Sequence, residues 1–192
     1  DPESQEVYWI DHPDLLASGS ELQIQRGVGA ALHGAASLGG SVNIETAPFS
    51  DAPGASVVAG YGWSAPRRLM LEMNSGRIGG WNFYGRYSRI ESDGYRDQSD
   101  SELWSYSLAA RRTFEHQSWR VTLYGGPEQT HLAYLGVPAS TLEGGLTGDA
   151  DQDRRNNPIT YAGERDHFFE PHYELMHNWA PRAGLTVTQT LF

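Results

Sequence analysis

Stretch after stretch of this chain alternates apolar and polar side chains with period two, and its aromatic residues ride mainly on the apolar phase. Trp81, Phe83 and Tyr87 alternate with Asn82, Tyr84, Arg86 and Ser88, and Trp104, Tyr106, Leu108, Ala110 and Phe114 with Ser105, Ser107, Ala109 and Arg111. Trp119, Val121 and Leu123 oppose Arg120, Thr122 and Tyr124 in the same way. Leu69, Leu71 and Met73 do so against Arg68, Met70, Glu72 and Asn74. Phe169, Tyr173, Leu175 and Trp179 face away from Glu170, His172, Glu174 and Asn178, and Leu185, Val187 and Leu191 from Thr186, Thr188 and Thr190. Successive side chains of a strand point to opposite faces, so each stretch specifies a strand with one apolar and one polar face. About seven such strands follow residue 55, and the chain is expected to be all-β.

A β-sandwich and a membrane barrel both satisfy that pattern. Two features favour the barrel. Short connections at Arg77–Gly80, Glu115–Ser118 and Ala180–Arg182 alternate with long ones at Ser92–Ser101 and Leu132–Arg165. Outer-membrane barrels alternate short periplasmic turns with long extracellular loops. Trp81, Trp119 and Trp179 also sit beside the short turns, while Trp63 and Trp104 sit toward the opposite ends. Trp is enriched at bilayer interfaces, where its ring is apolar and its N–H reaches water. No apolar run reaches the ~20 residues of a spanning helix, as expected of a barrel whose lipid and lumen faces alternate.

The segment Ile24–Thr46, IQRGVGAALHGAASLGGSVNIET, has a different character. Gly27, Gly29, Gly34, Gly39 and Gly40 punctuate small residues, and Ser41–Glu45 then reads as a half-buried strand. From these residues alone an ordinary loop and strand of a soluble domain is equally open. Arg26-Gly27-Val28-Gly29 is followed by neither a Gly-Lys-Ser/Thr ending nor a Gly-x-Gly-x-x-Gly spacing, which argues against a nucleotide site. Upstream, Asp11–Asp14 reads as a turn and Asp14-Leu15-Leu16 as the start of a short helix.

The segment resembles the end of the plug domain in TonB-dependent outer-membrane receptors, where Arg-Gly-x-Gly and Leu-Gly-Gly-x-Val-Asn-Ile precede the first barrel strand. The matching residues are Arg26, Gly27, Gly29, Leu38, Gly39, Gly40, Val42, Asn43 and Ile44. Val28 stands where proline is common in the family, and His33 where tyrosine is common. The resemblance implies the C-terminal part of a plug over residues 1–47, a linker over 48–54 and the first barrel strands over 55–192. Receptors of this kind close with about 22 strands around a plugged lumen. About seven strands cannot do so, and an open edge in lipid is prohibitive. The chain, which begins at Asp1 without an initiator Met, is therefore expected to be a fragment of a partial transmembrane antiparallel β-barrel with part of its plug.

The function implied is energy-coupled import of a metal chelate, a ferric siderophore first among them, with cobalamin, haem or a glycan as alternative cargoes. A passive porin or adhesive barrel is the alternative of a different class. Implied partners are the TonB complex, through a part of the plug preceding this chain, and outer-membrane lipid. In the family the arginine matching Arg26 pairs with barrel glutamates as a plug–barrel latch. Loops at Ser92–Asp97, Tyr134–Pro138 and Asp153–Pro158 look like outer loops of iron-complex receptors. Their Tyr95, Arg96, Tyr134, Arg154 and Arg155 are the candidate ligand contacts, since arginine suits an anionic chelate.

No catalytic or cofactor-binding constellation is evident. Asp11-His12-Asp14 and Glu170-His172-Glu174 lack a supported nucleophile, and the latter reads as a solvated lumen face rather than a metal site. Asp149–Asp153 opens like a calcium loop, but Arg154 and Thr160 stand where Gly and Glu are required. A net charge of −10 argues against nucleic acid, and the absence of cysteine excludes disulfides and thiolate metal sites.

Overall fold

The computed structural model describes residues 8–27, 40–46, 49–63 and 66–192. Val28, Gly29, His33, Leu38 and Gly39 of the plug-like motif lie outside the described residues. Two strands, β1 (Gly19–Arg26) and β2 (Gly40–Thr46), form an antiparallel hairpin. The strand expected over Ser41–Glu45 is β2, and the helix expected near Asp14 is a single 3-10 turn, Leu15–Ser18. β1 carries only Leu22 and Ile24 as large apolar residues, too weak a signal to read beforehand.

The remaining strands make one antiparallel sheet. β3 (Pro53–Tyr61), β4 (Arg67–Ile78), β5 (Trp81–Ser92), β6 (Ser101–Thr113), β7 (Gln117–Gly125), β10 (His172–Arg182) and β11 (Leu185–Leu191) lie side by side in that order. β8 (Glu128–His131) and β9 (Arg165–Phe168) form a ribbon that joins the sheet beside the start of β6. The edge strands β3 and β11 do not pair with one another, so the sheet is open.

Three turns differ from the sequence expectation: β7 already begins at Gln117, so the turn read over Glu115–Ser118 is confined to Phe114, Glu115 and His116. β4 runs to Ile78 and turns through Gly79 and Gly80 alone, both at positive φ (57° and 85°), as the tight hairpin geometry that matches strand twist requires. Ala180–Arg182 stays within β10, where a register shift between Trp179 and Arg182 absorbs Pro181, and the turn falls at Ala183-Gly184. Phe169 and Glu170 lie before β10 rather than in it, with Pro171 between. β3 begins at Pro53, inside the stretch read as a linker.

The sheet's amphipathy is the reverse of a soluble protein's. Its polar phase is buried: Asn82, Ser88 and Thr122 are each 1% exposed, and Arg86 and Ser107 are 2%. On its apolar phase Leu69, Leu71, Met73, Phe83, Tyr87, Leu108, Val121 and Tyr173 are exposed. Among the described residues, the buried apolar side chains on the polar side are Met70, Tyr84 and Ala109, with Phe49 packed against the last two. Among the described residues, Asp14, Ser18, Thr46, Phe49 and Ser50 contact that face.

Candidate functional site: the covered polar face and the long-loop end

Asp14 is the centre of the cover. It takes a left-handed backbone conformation, φ 55°, at the head of the Leu15–Ser18 turn. Arg68 of β4 grips its carboxylate with two hydrogen bonds, from Nε at 3.0 Å and Nη2 at 2.8 Å. The planar guanidinium fork matches a carboxylate in this way. Ser88 of β5 donates its hydroxyl to the same carboxylate. Arg86, between them, has Nη1 3.9 Å from Asp14 Oδ2, donates from Nε to Ser18 and from Nη2 to Ser105 at 2.7 Å. Asp14 is thus the acidic partner of two arginines of the sheet, one of them almost wholly removed from water.

A second row of contacts holds the hairpin and the residues after it. Arg120 donates to the Thr46 carbonyl at 2.8 Å, and Asn82 to the Ser50 carbonyl at 3.0 Å. The Phe49 ring lies under Arg111 and Arg120, 4.6 Å and 5.5 Å from their guanidinium carbons. A cavity of about 440 Å³ remains between the hairpin and the sheet, lined by Leu15, Ile44, Arg120, Tyr124, Glu174 and Met176 among others.

Arg26, at the end of β1, is exposed, and no ion pair of its own forms among the described residues. Sequence reasoning missed Asp14 as the anchor. The available signal was the recurrence of arginine, Arg68, Arg86, Arg111 and Arg120, on polar phases that otherwise carry mainly serine, threonine, asparagine and tyrosine.

At the long-loop end the structure draws most of the expected ligand contacts to one junction. Arg96 donates to the carbonyls of Asn156 at 3.0 Å, Ala133 at 2.8 Å and Leu135 at 2.8 Å, stitching the loop after β5 to both ends of the long insertion. Asp97 N–H binds the Arg155 carbonyl at 2.7 Å, and Arg155 reaches the Asp97 carboxylate at 3.5 Å. Tyr95 and Tyr134 flank this junction and stay exposed, at 58% and 72%. Arg154 stands apart, paired with Asp151 at 3.1 Å. Arg96 is therefore committed to backbone, and Tyr95, Tyr134 and Arg155 present the accessible surface.

The acids of the insertion serve the backbone. Asp149 caps the short helix α1 (Ala150–Asp153), accepting from Asp151 N and Gln152 N, and leads from a preceding turn of helix at Ala139–Leu142. Asp153 accepts from the Thr147 hydroxyl and from the N–H groups of Leu146 and Thr147. The Thr147 hydroxyl, more than any other contact, holds Asp153 below the usual carboxylate range against the opposing effect of burial. At the root of the ribbon, burial would raise Asp100, but its bonds to His131 and Arg165 outweigh burial and hold it low. Among the described residues, no group of three His, Asp or Glu side chains is arranged to hold a metal ion. His172 instead stacks on Tyr124, with ring centroids 4.6 Å apart, and Glu174 accepts from the Tyr124 hydroxyl at 3.4 Å.

The exposed apolar face is bounded at both ends by aromatic and cationic side chains. Near the short turns Trp81, Arg112, Trp119 and His177 lie in one register row across β5, β6, β7 and β10. Arg112 sits 4.9 Å from the Trp81 ring and 5.0 Å from the Phe114 ring, and His177 stacks on Trp119 at 4.0 Å. At the other end Arg89 lies 5.3 Å from the Trp104 ring. Compared with known proteins, the chain matches no protein-family model and no curated protein sequence.

Proposed function

We propose that this chain forms part of the wall and the end of the plug of a TonB-dependent outer-membrane receptor that imports a metal chelate, with a ferric siderophore as its cargo. The carrying observation is the reversed amphipathy: a buried polar face rich in Arg, Ser and Thr behind an exposed face of Leu, Val, Phe and Trp. In water that arrangement squanders apolar burial, whereas in a bilayer it matches both sides. The spacing agrees. From the Trp104 level to the Arg112 level is roughly 27 Å along the strand, or about 21 Å at the usual barrel tilt, against an apolar band of about 25 Å in outer-membrane barrels. Residues 1–47 are then the plug ending, 48–52 the link and the strands from Pro53 onward the wall, with Tyr95, Tyr134 and Arg155 facing the cargo and Arg96 holding their loops.

Membrane fractionation of the expressed protein tests the wall reading: it should sediment with outer membranes and leave them only in detergent. A monodisperse, detergent-free protein would instead make it a soluble sheet. Uptake of labelled ferric chelates with and without TonB tests the transport reading, and uptake indifferent to TonB would identify a passive pore.

A further inference from the structure

Glu128, the first residue of β8, is 3% exposed, and neither of its carboxylate oxygens has a hydrogen-bond partner. Buried carboxylates are normally hydrogen-bonded or ion-paired, so an orphan of this kind calls for an explanation. Its surroundings are acidic. Asp11 faces it from the N-terminal segment, and Asp166 from β9. Around Asp11 stand His12, Asp166 and Glu170, and His12 in turn faces His172 of β10, with ring centroids 5.8 Å apart. β6 sets the uncharged Leu103 opposite Glu128.

The segment is held against this place by close fit. Pro13 is buried over Gly126, where a Cβ would lie 2.7 Å from the Pro13 ring and 2.8 Å from the Trp104 carbonyl. Pro13 thus ties the segment, two residues from Asp11, to the chain just before Glu128.

We propose that Glu128 is a proton-operated catch between residues 8–18 and the β8–β9 ribbon, closed when its carboxyl is protonated and forced open by like-charge repulsion from Asp11 and Asp166 when it ionises. Burial, then Asp11, then Asp166 push the Glu128 carboxyl up to about 7 from its ordinary 4.5. The sign follows: the docked state binds more protons than the undocked one, so docking weakens as pH rises from the ordinary value through about 7. Asp166 stays with Glu128 in the ribbon when the segment leaves, so relief of the whole shift sets a ceiling, a fall of about tenfold in the docking equilibrium between pH 6 and pH 8. Burial foremost, and then His172, lower His12 in the docked segment, so release lets it bind a proton more readily near pH 6; that opposes the Glu128 change by at most about fourfold between pH 6 and pH 8.

Hydrogen exchange on the full-length protein at pH 6 and pH 8, expressed as protection factors, reads the catch directly. Residues 8–18 should lose about two- to tenfold of their protection at pH 8, and in Glu128→Gln that loss should disappear. Asp11→Asn is the second variant, in case Glu128→Gln does not fold: it leaves the wall intact and should shrink the pH dependence. A wild-type segment indifferent to pH, or an undiminished dependence in either variant, overturns the proposal. So does restoration of protection at pH 8 by millimolar calcium, which would make a cation rather than the proton the neutralising species.

Discussion

Replacing Asp14 with alanine should release the N-terminal segment from the sheet, and the wall arginine that gains least from hydrogen-bond geometry should account for most of the loss. Arg68 makes the better contact, bidentate at 2.8 Å and 3.0 Å, yet its side chain is 35% exposed and water replaces the carboxylate readily. Exposed pairs of that kind contribute about 0–1 kcal/mol. Arg86 makes only a 3.9 Å charge contact, but its side chain is 1% exposed and nothing else there carries the opposite charge so close. At that distance and an effective dielectric of about 20 the attraction is about 4 kcal/mol, in line with the 3–5 kcal/mol lost when one partner of a buried pair is removed. The bonds of Arg86 to Ser18 and Ser105 persist and soften the loss. We therefore expect Asp14→Ala to lower the opening free energy of residues 8–18 by about 3 kcal/mol, measured by native-state hydrogen exchange. A double-mutant cycle with Arg86→Met should give a coupling of about 2–3 kcal/mol, and one with Arg68→Gln less than about 1 kcal/mol. A loss below about 1 kcal/mol in Asp14→Ala, or a larger coupling to Arg68 than to Arg86, would refute the argument that burial outranks geometry here.

Val121→Arg, in the middle of the exposed face, should destabilise the folded protein in lipid vesicles by about 2–4 kcal/mol in a urea titration. On a water-facing sheet the same change would stay within about 0.5 kcal/mol. Arg96→Ala removes three bonds to carbonyl groups and should open residues 132–165 to limited proteolysis, while Arg155→Ala should leave that pattern unchanged and weaken chelate binding. The ribbon root should resist acid. Asp100 is held below its ordinary 3.8, so its contribution is present above that value and lost only as pH falls through the lower folded one. In a Glu128→Gln background, which removes the higher titration, protection factors of the β8–β9 amides should be alike at pH 5 and pH 7, fall below about pH 4, and lose that acid step when Asp100→Asn is added.

The faces of the sheet were legible in the sequence because a strand's period is two, and one phase of β5, β6 and β7 is almost purely apolar. The ends of strands were less so. Ala180-Pro181-Arg182 carries a proline that reads as a turn, yet a register shift keeps it in β10. β8 and β9 are four residues each, their charged and polar sequences indistinguishable from the loop they interrupt. Asp14 was visible only as part of a turn, because its partners Arg68 and Ser88 lie 54 and 74 residues away. Alternation says which face a residue occupies and nothing about which distant segment lies on that face. Tyr95, Tyr134 and Arg155 were readable as loop residues, but Arg96's three carbonyl partners were not, since backbone acceptors leave no trace in composition.

The neighbour-to-neighbour order of the sheet bears on how it comes together. β3 to β7 each pair with the strand just before or after, so their contacts close short loops at little entropic expense and strands can be added one at a time from either edge. Two steps break that economy: the pairing of β7 with β10 across residues 126–171, and the seating of Asp14 on strands far along the chain. The polar face offers almost no apolar core to drive an early collapse. Assembly should therefore run as a zipper along the meander, pause at the long insertion, and end with the N-terminal segment docking onto a wall that already stands.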